Sequence, residues 1–164
     1  MSSREEKISD WLNEGKTNLS EFRRSPFHDN LRTDVRDHYT NLIENFPEET
    51  LAKVDKLLQE AKVIEPLPSS MSASRTTESC WVLKSQKNPK KITVNGFEDY
   101  TYRFIAIVLN TELMSDREVV RHLCNNRACV CPDHLQIGTQ QENRQDEYER
   151  VYSGRDSEGR DQKL

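Results

Sequence analysis

The stretch His122-Leu-Cys124-Asn-Asn-Arg-Ala-Cys129-Val-Cys131-Pro-Asp-His134 sets three thiols and two imidazoles into one short loop. Nothing else in the chain constrains its fold as strongly. Cys124 and Cys129 are separated by four residues, as are Cys129 and His134. A compact loop can therefore bring three donors to one tetrahedral Zn²⁺. Cys80, the one remaining cysteine, opens an apolar run over 80–83 and can supply the fourth donor from a neighbouring strand. Cys131 lies two residues from Cys129 and points the other way in extended chain, so it reads as a packed thiol with a ligand role as the minor alternative. The competing reading is a set of unrelated buried thiols, which are common in cores. It leaves a histidine at metal-ligand spacing unexplained.

The flanking pattern supports a hairpin around this loop. Residues 118–122 and 135–138 read as short strands with alternating apolar positions. Gly138 ends the second strand. Thr139 with Glu142 forms a capping box, which predicts a helix from about Gln140 with Asn143 in its first turn. The positive end of a helix dipole favours a nearby phosphate.

In His122, Cys124, Cys129, Pro132-Asp-His134-Leu135 and Gly138-Thr-Gln-Gln-Glu-Asn143, over residues 80–149, the chain resembles the HNH, or His-Me finger, nucleases. The similarity is closest to the zinc-bearing His-Cys box homing endonucleases and phage HNH enzymes. The resemblance implies an α+β fold: a zinc-stapled ββα-metal nuclease core, a β-hairpin DNA-binding ribbon and an N-terminal helical extension. It also implies that His122 is the general base, that Asn143 holds a catalytic Mg²⁺, and that Cys80, Cys124, Cys129 and His134 hold a structural zinc. Arg103 stands where related sequences often carry a basic residue, which implies contact with the scissile phosphate; pairing with Glu98 or Asp99 is the alternative. The chain departs from the family pattern at Cys131, where an Asn commonly precedes the Pro and braces the catalytic His. The implied reaction hydrolyses DNA to 5′-phosphate and 3′-hydroxyl ends. A neutral His with a pKa near 6.5 suits proton removal from water, and Mg²⁺ suits the charge developing on the 3′-oxygen.

Positive charge is local. Residues 67–96 carry an excess of four, in a chain whose net charge is −4. Residues 81–96 suggest strands joined by a turn at Asn88-Pro89, a ribbon whose Lys84, Gln86, Lys87, Asn88, Lys90, Lys91, Thr93 and Asn95 can reach base edges and phosphates in a major groove. The plain alternative is a solvated hairpin whose lysines blunt a sheet edge. Residues 100–110 are the most apolar stretch and fit strand or helix by pattern alone; the resemblance favours a strand leading into a helix from about Phe104.

Residues 1–66 hold fourteen acidic and ten basic side chains, which accounts for the net charge. Leu51, Val54, Leu57, Leu58 and Ala61 line one face of a helix that starts at Pro47. Leu31, Val35, Tyr39, Leu42, Ile43 and Phe46 form a second stripe, and Ile8, Trp11 and Leu12 a shorter first one. Packing against the nuclease core or dimerisation suits these helices better than a DNA contact through Arg23-Arg24. The organisation expected is a helical extension over 1–65, a linker over 66–79, a nuclease domain over 80–152 and a disordered tail over 153–164. No signal peptide or membrane span is visible, and thiolates reserved for zinc fit a reducing cytoplasm, in a bacterial or phage-infected host cell. Double-stranded DNA is the expected partner. A monomer should nick and a homodimer should cut both strands. A zinc-stapled DNA-binding protein that never cuts, and an RNase or junction-specific nuclease, stay open as competing classes.

Overall fold

The computed structural model describes residues 3–22, 33–64, 79–84, 88–111, 118–124, 126–139 and 141. Asn143, Gln86 and Lys87, the predicted helix beyond residue 141, most of the expected linker and the tail lie outside them.

Three amphipathic helices come first. Helix α1 (Arg4–Glu21) starts where the Ser3 hydroxyl accepts the Glu6 N–H at 3.2 Å, with Glu5 and Glu6 in its first turn. It buries Ile8, Trp11, Gly15 and Leu19. Helix α2 (Thr33–Asn45) buries Tyr39, Leu42 and Ile43. Helix α3 (Pro47–Glu60) begins with Pro at its first position and buries Thr50, Val54, Leu57 and Leu58. Phe46, expected in the apolar stripe of α2, is instead 41 % exposed. It sits between the two helices, and its carbonyl accepts the Thr50 N–H at 2.9 Å to open α3.

Helix α4 (Thr101–Asn110) is buried nearly all round through residues 104–109 and forms the centre of the molecule. Helices α1, α2 and α3 all pack against it. The approach of α1 is close: a Cβ built on Gly15 would lie 2.6 Å from Leu109 Cδ2, so a larger residue there would force that side chain to shift. Helix α4 starts at Thr101, three residues before the expected Phe104. There the Thr101 N–H and hydroxyl both donate to the Lys90 carbonyl, at 2.8 and 2.9 Å, and end the preceding strand.

The strands form three antiparallel pairs. Strand β1 (Lys62–Ile64) pairs with β2 (Cys80–Val82), placing Ile64 opposite Cys80. Strand β3 (Lys91–Val94) pairs with β4 (Phe97–Tyr100). Strand β5 (Glu118–His122) pairs with β6 (Leu135–Thr139), placing His122 opposite Leu135. The last pair matches the hairpin read from the alternation, and the fold is α+β with small sheets.

The expected ribbon differs from the one observed. β2 does not turn at Asn88-Pro89 to meet β3; it pairs backwards with β1. The ribbon is β3–β4, turning at Asn95 and Gly96 with φ of 49° and 83°. Positive φ at both central residues is the type I′ geometry that Asn-Gly tolerates and that matches the twist of a tight hairpin. One buried apolar cluster runs from Ile8 in α1 to Leu135 in β6 and includes all four cysteines. No helix among the described residues is long and apolar enough to cross a membrane.

Candidate metal centre

Backbone pairing assembles the donors. Val82 forms an antiparallel bridge with Cys129, and the Val130 N–H donates to the Trp81 carbonyl at 2.7 Å, so the loop after β5 lies along β2 and brings Cys129 beside Cys80. Asn126 turns the loop: its carbonyl accepts the Cys129 N–H at 3.0 Å and its side-chain oxygen the Ala128 N–H at 3.0 Å. A short 3₁₀ turn over Pro132–His134, held by the His134 N–H on the Cys131 carbonyl at 2.9 Å, aims the imidazole inward. The Leu123 N–H then closes the loop on the His134 carbonyl at 2.7 Å.

The donor atoms of Cys80, Cys124, Cys129 and His134 all lie within 4.8 Å of one another. The three cysteines are 0 % exposed and the histidine 1 %. A tetrahedral ion with Zn–S of about 2.3 Å and Zn–N of about 2.0 Å needs donor separations of roughly 3.5–3.8 Å; Cys129 Sγ and His134 Nδ1 are 3.4 Å apart. Three thiolates and an imidazole, closed off from solvent with no open position, are the donor set of a structural zinc. The residues therefore fit the ion. The Cys131 N–H donates to Cys129 Sγ at 3.4 Å, which favours the thiolate there. Cys131 itself is buried and outside the donor set, as its spacing predicts. The metal-free site would resist full ionisation. Hydrogen bonds from its neighbours, Cys124 first, push the Cys80 thiol down. The Cys129 hydrogen bond helps the Cys124 thiolate, but the Cys80 hydrogen bond, burial and the Cys80 charge outweigh it and push that thiol up, and Cys129 is also raised, by Cys124, Cys80 and burial.

His122 ends β5 beside this centre. Its Nε2 lies 3.2 Å from the Cys129 carbonyl. A carbonyl only accepts, so Nε2 carries the hydrogen and Nδ1 is left as the basic nitrogen. The Tyr102 ring meets the imidazole edge-on at 4.4 Å. Burial pushes the His122 pKa down to about 4, below the 6.5 expected of it and against the opposing pull of the Cys129 carbonyl, which favours the neutral ring and makes it a weaker base. Comparison with family models, curated proteins and solved structures finds no match to this chain. The site is therefore read from its own geometry.

The remaining predicted residues scatter around it. Arg103 takes the alternative foreseen for it: its Nε donates to Asp99 at 3.0 and 3.3 Å. Asp99 also accepts the Tyr39 hydroxyl at 2.8 Å, and burial together with this carboxylate pushes the Tyr39 pKa up. Lys91 and Thr93 lie on the same face of the ribbon as Glu98 and Tyr100, while Ile92 and Val94 share the opposite face with Asp99 and Phe97. Asn95 is exposed at the turn. Lys84 and Asn88 are exposed beyond β2, and Lys90 is half-buried. Glu98 lies 3.8 Å from Lys91 and offsets its charge, so this outer face is less basic than the sequence window suggests. Two residues near His122 escaped the sequence reading. Tyr102 touches the imidazole, and the exposed Arg127 lies close enough for its charge to act on both rings.

Proposed function

We propose that the chain is a zinc-stapled His-Me finger nuclease that hydrolyses DNA phosphodiester bonds to 5′-phosphate and 3′-hydroxyl ends, with His122 as general base. The observation that carries this reading is the contact between His122 Nε2 and the carbonyl of Cys129. A residue of the metal loop thereby fixes both the tautomer and the orientation of the imidazole. In this reading it would take over the work of the Asn that commonly stands where this chain has Cys131.

In this reading Nδ1 of His122 removes a proton from water as its oxygen attacks phosphorus, the bond to the 3′-oxygen breaks, and that oxygen takes a proton from a solvent water to become the 3′-hydroxyl. Arg103, aligned by Asp99, contacts the phosphate. Mg²⁺ held by Asn143 would supply charge stabilisation on the leaving oxygen. The zinc stays structural and supports the loop. DNA is the substrate in this reading because the exposed Lys91 and Thr93 share one ribbon face from which they can reach base edges, with Glu98 offsetting the Lys91 charge.

Supercoiled DNA incubated with Mg²⁺ and the purified protein tests this, with His122→Ala and Asn143→Ala in parallel. The reading requires the parent to nick or linearise DNA and both variants to fail while still binding it. A parent that binds duplex DNA and leaves it, junctions and RNA intact would make the chain a zinc-stapled binding protein instead.

A further inference from the structure

Three aromatic rings run in contact from the candidate base towards the ribbon. Tyr102, in the first turn of α4, meets His122 edge-on at 4.4 Å with an interplanar angle of 63°. Tyr100, at the end of β4, lies nearly parallel to Tyr102, with centroids 5.6 Å apart and planes at 17°. Both tyrosines are half-buried, whereas Tyr39, Trp81 and Phe104 are buried in the core. The Tyr39 hydroxyl is anchored on Asp99, but neither Tyr100 nor Tyr102 has a hydroxyl hydrogen bond among the described residues. Tyr102 packs against the core with one edge on His122, while Tyr100 stacks on it from the ribbon, so the pair presents a stacking geometry with neither hydroxyl tied down.

The surroundings suit a nucleotide. Lys91 Nζ lies 5.1 Å over the Tyr100 ring, on a cross-strand pair. Its tether is loose: Glu98 is 3.8 Å away, and the two side chains are 52 % and 61 % exposed. An ammonium held this weakly can move to a phosphate and leave the ring face to a base. Arg127 adds a second cation whose charge reaches Tyr102 and His122. Because Lys91 and Glu98 offset each other, phosphate attraction gives this face little hold on a duplex, whereas base–aromatic stacking needs no net charge and tolerates any sequence.

We propose that Tyr100 and Tyr102 form a stacking platform for an unstacked nucleobase beside the scissile phosphate, flanked by Lys91 and Arg127. The proposal rests on the nuclease reading for its substrate and goes beyond it in assigning the platform: the strand being cut is held partly by a base removed from its stack, the device by which enzymes reach groups hidden in a duplex.

The test uses short single-stranded DNA carrying 2-aminopurine, whose fluorescence falls on stacking, and a duplex with one mismatched 2-aminopurine. The full-length zinc-loaded protein should quench both. Tyr100→Leu should abolish the quench and weaken single-strand binding about tenfold, within the range for loss of one base–aromatic stack. Tyr102→Phe, which keeps the ring and its contact with His122, should behave as the parent. Tyr102→Leu with full zinc content should lose the quench. Zinc-loaded Tyr100→Leu and Tyr102→Leu proteins that quench and bind like the parent would overturn the platform. The two readings fail separately. A parent that cuts DNA without quenching sinks the platform and keeps the nuclease. A parent that quenches through Tyr100 but never cuts keeps the platform and sinks the nuclease.

Discussion

Zinc removal should cost the fold about 4 kcal/mol. Cys80 and Cys124 bracket a loop of about 45 residues, and a cross-link closing a loop of that size removes about 4 kcal/mol of unfolded-chain entropy. Two further features point the same way. The three donor cysteines belong to the same buried cluster as Trp81, Val130 and Leu135, so losing an ion held there would reach the core. His134 Nε2 has no partner among the described residues, so a metal bond at Nδ1 would be a main restraint on that ring. Against a total of about 5–15 kcal/mol for a chain of this kind, the loss is severe. At about 2–4 °C per kcal/mol for this size, the melting temperature should fall by about 8–16 °C. The assay is thermal denaturation by circular dichroism, with zinc counted by mass spectrometry, for the parent before and after chelation. Cys80→Ser is the most informative variant, because it removes the donor that is remote in sequence and leaves the loop intact. Cys131→Ser is its control: equally buried, outside the donor set, and expected to keep one zinc per chain. A zinc-free parent that melts within about 2 °C of the loaded protein would refute the reasoning, as would Cys131→Ser losing the metal while Cys80→Ser keeps it.

Two smaller effects follow from contacts away from the donors. Trp11→Phe keeps the ring against Trp81 but removes the 3.0 Å hydrogen bond from Nε1 to Asp133, so denaturant unfolding should show a loss of about 1 kcal/mol, and no loss would mean that bond is idle. His38 stacks on Phe97 at 4.4 Å, and burial holds its pKa below 6.5 against the opposing pull of Asp99. The unfolded chain therefore binds its proton first, and this histidine's contribution to stability should fall as pH drops below 6.5; an NMR titration giving a folded-state pKa at or above 6.5 contradicts that sign.

The parts legible in the sequence were those whose geometry is local. Ligand spacing over 124–134 fixes which side chains can share an ion, because the loop is too short to scatter them, and Cys80 followed as the one cysteine left. Alternation over 118–122 and 135–138 needed no distant partner to be read. Pairing that depends on distant chain was not legible. Lys62–Ile64 is too short to show a period and becomes a strand only because β2 lies beside it. Asn88-Pro89 and Asn95-Gly96 are both turn signals, and the choice between them belongs to the backbone: only the second offers two residues at ease with positive φ. Tyr102 borders an apolar run and reads as core, yet it sits in the first turn of α4 with one edge on His122. Arg127 looks like a solvated loop charge, and only the folded chain brings it near enough for its charge to act on His122 and Tyr102.

The N-terminal helices take on a specific task in this arrangement. Trp11 of α1 packs edge-on against Trp81, at 5.1 Å, and hydrogen-bonds Asp133. It therefore presses on the residue after one zinc donor, Cys80, and on the residue before another, His134. Arg4 stands over the Trp81 ring at 5.0 Å and donates to the carbonyls of Leu58 and Gln59 at the end of α3, at 2.9 and 2.6 Å, a favourable place for a cation at a helix C-terminus. On the other side of α4, the Tyr39 hydroxyl from α2 and the Arg103 guanidinium converge on Asp99 of the ribbon. Helix α1 thus braces two candidate donors that are remote from each other in sequence, and α2 anchors the ribbon that carries Tyr100. Preorganisation of this kind lowers the entropy lost when a metal or a nucleotide binds. The contribution of the acidic helical segment is thus the placement of Cys80, His134 and Asp99, through the contacts of Trp11 and Tyr39.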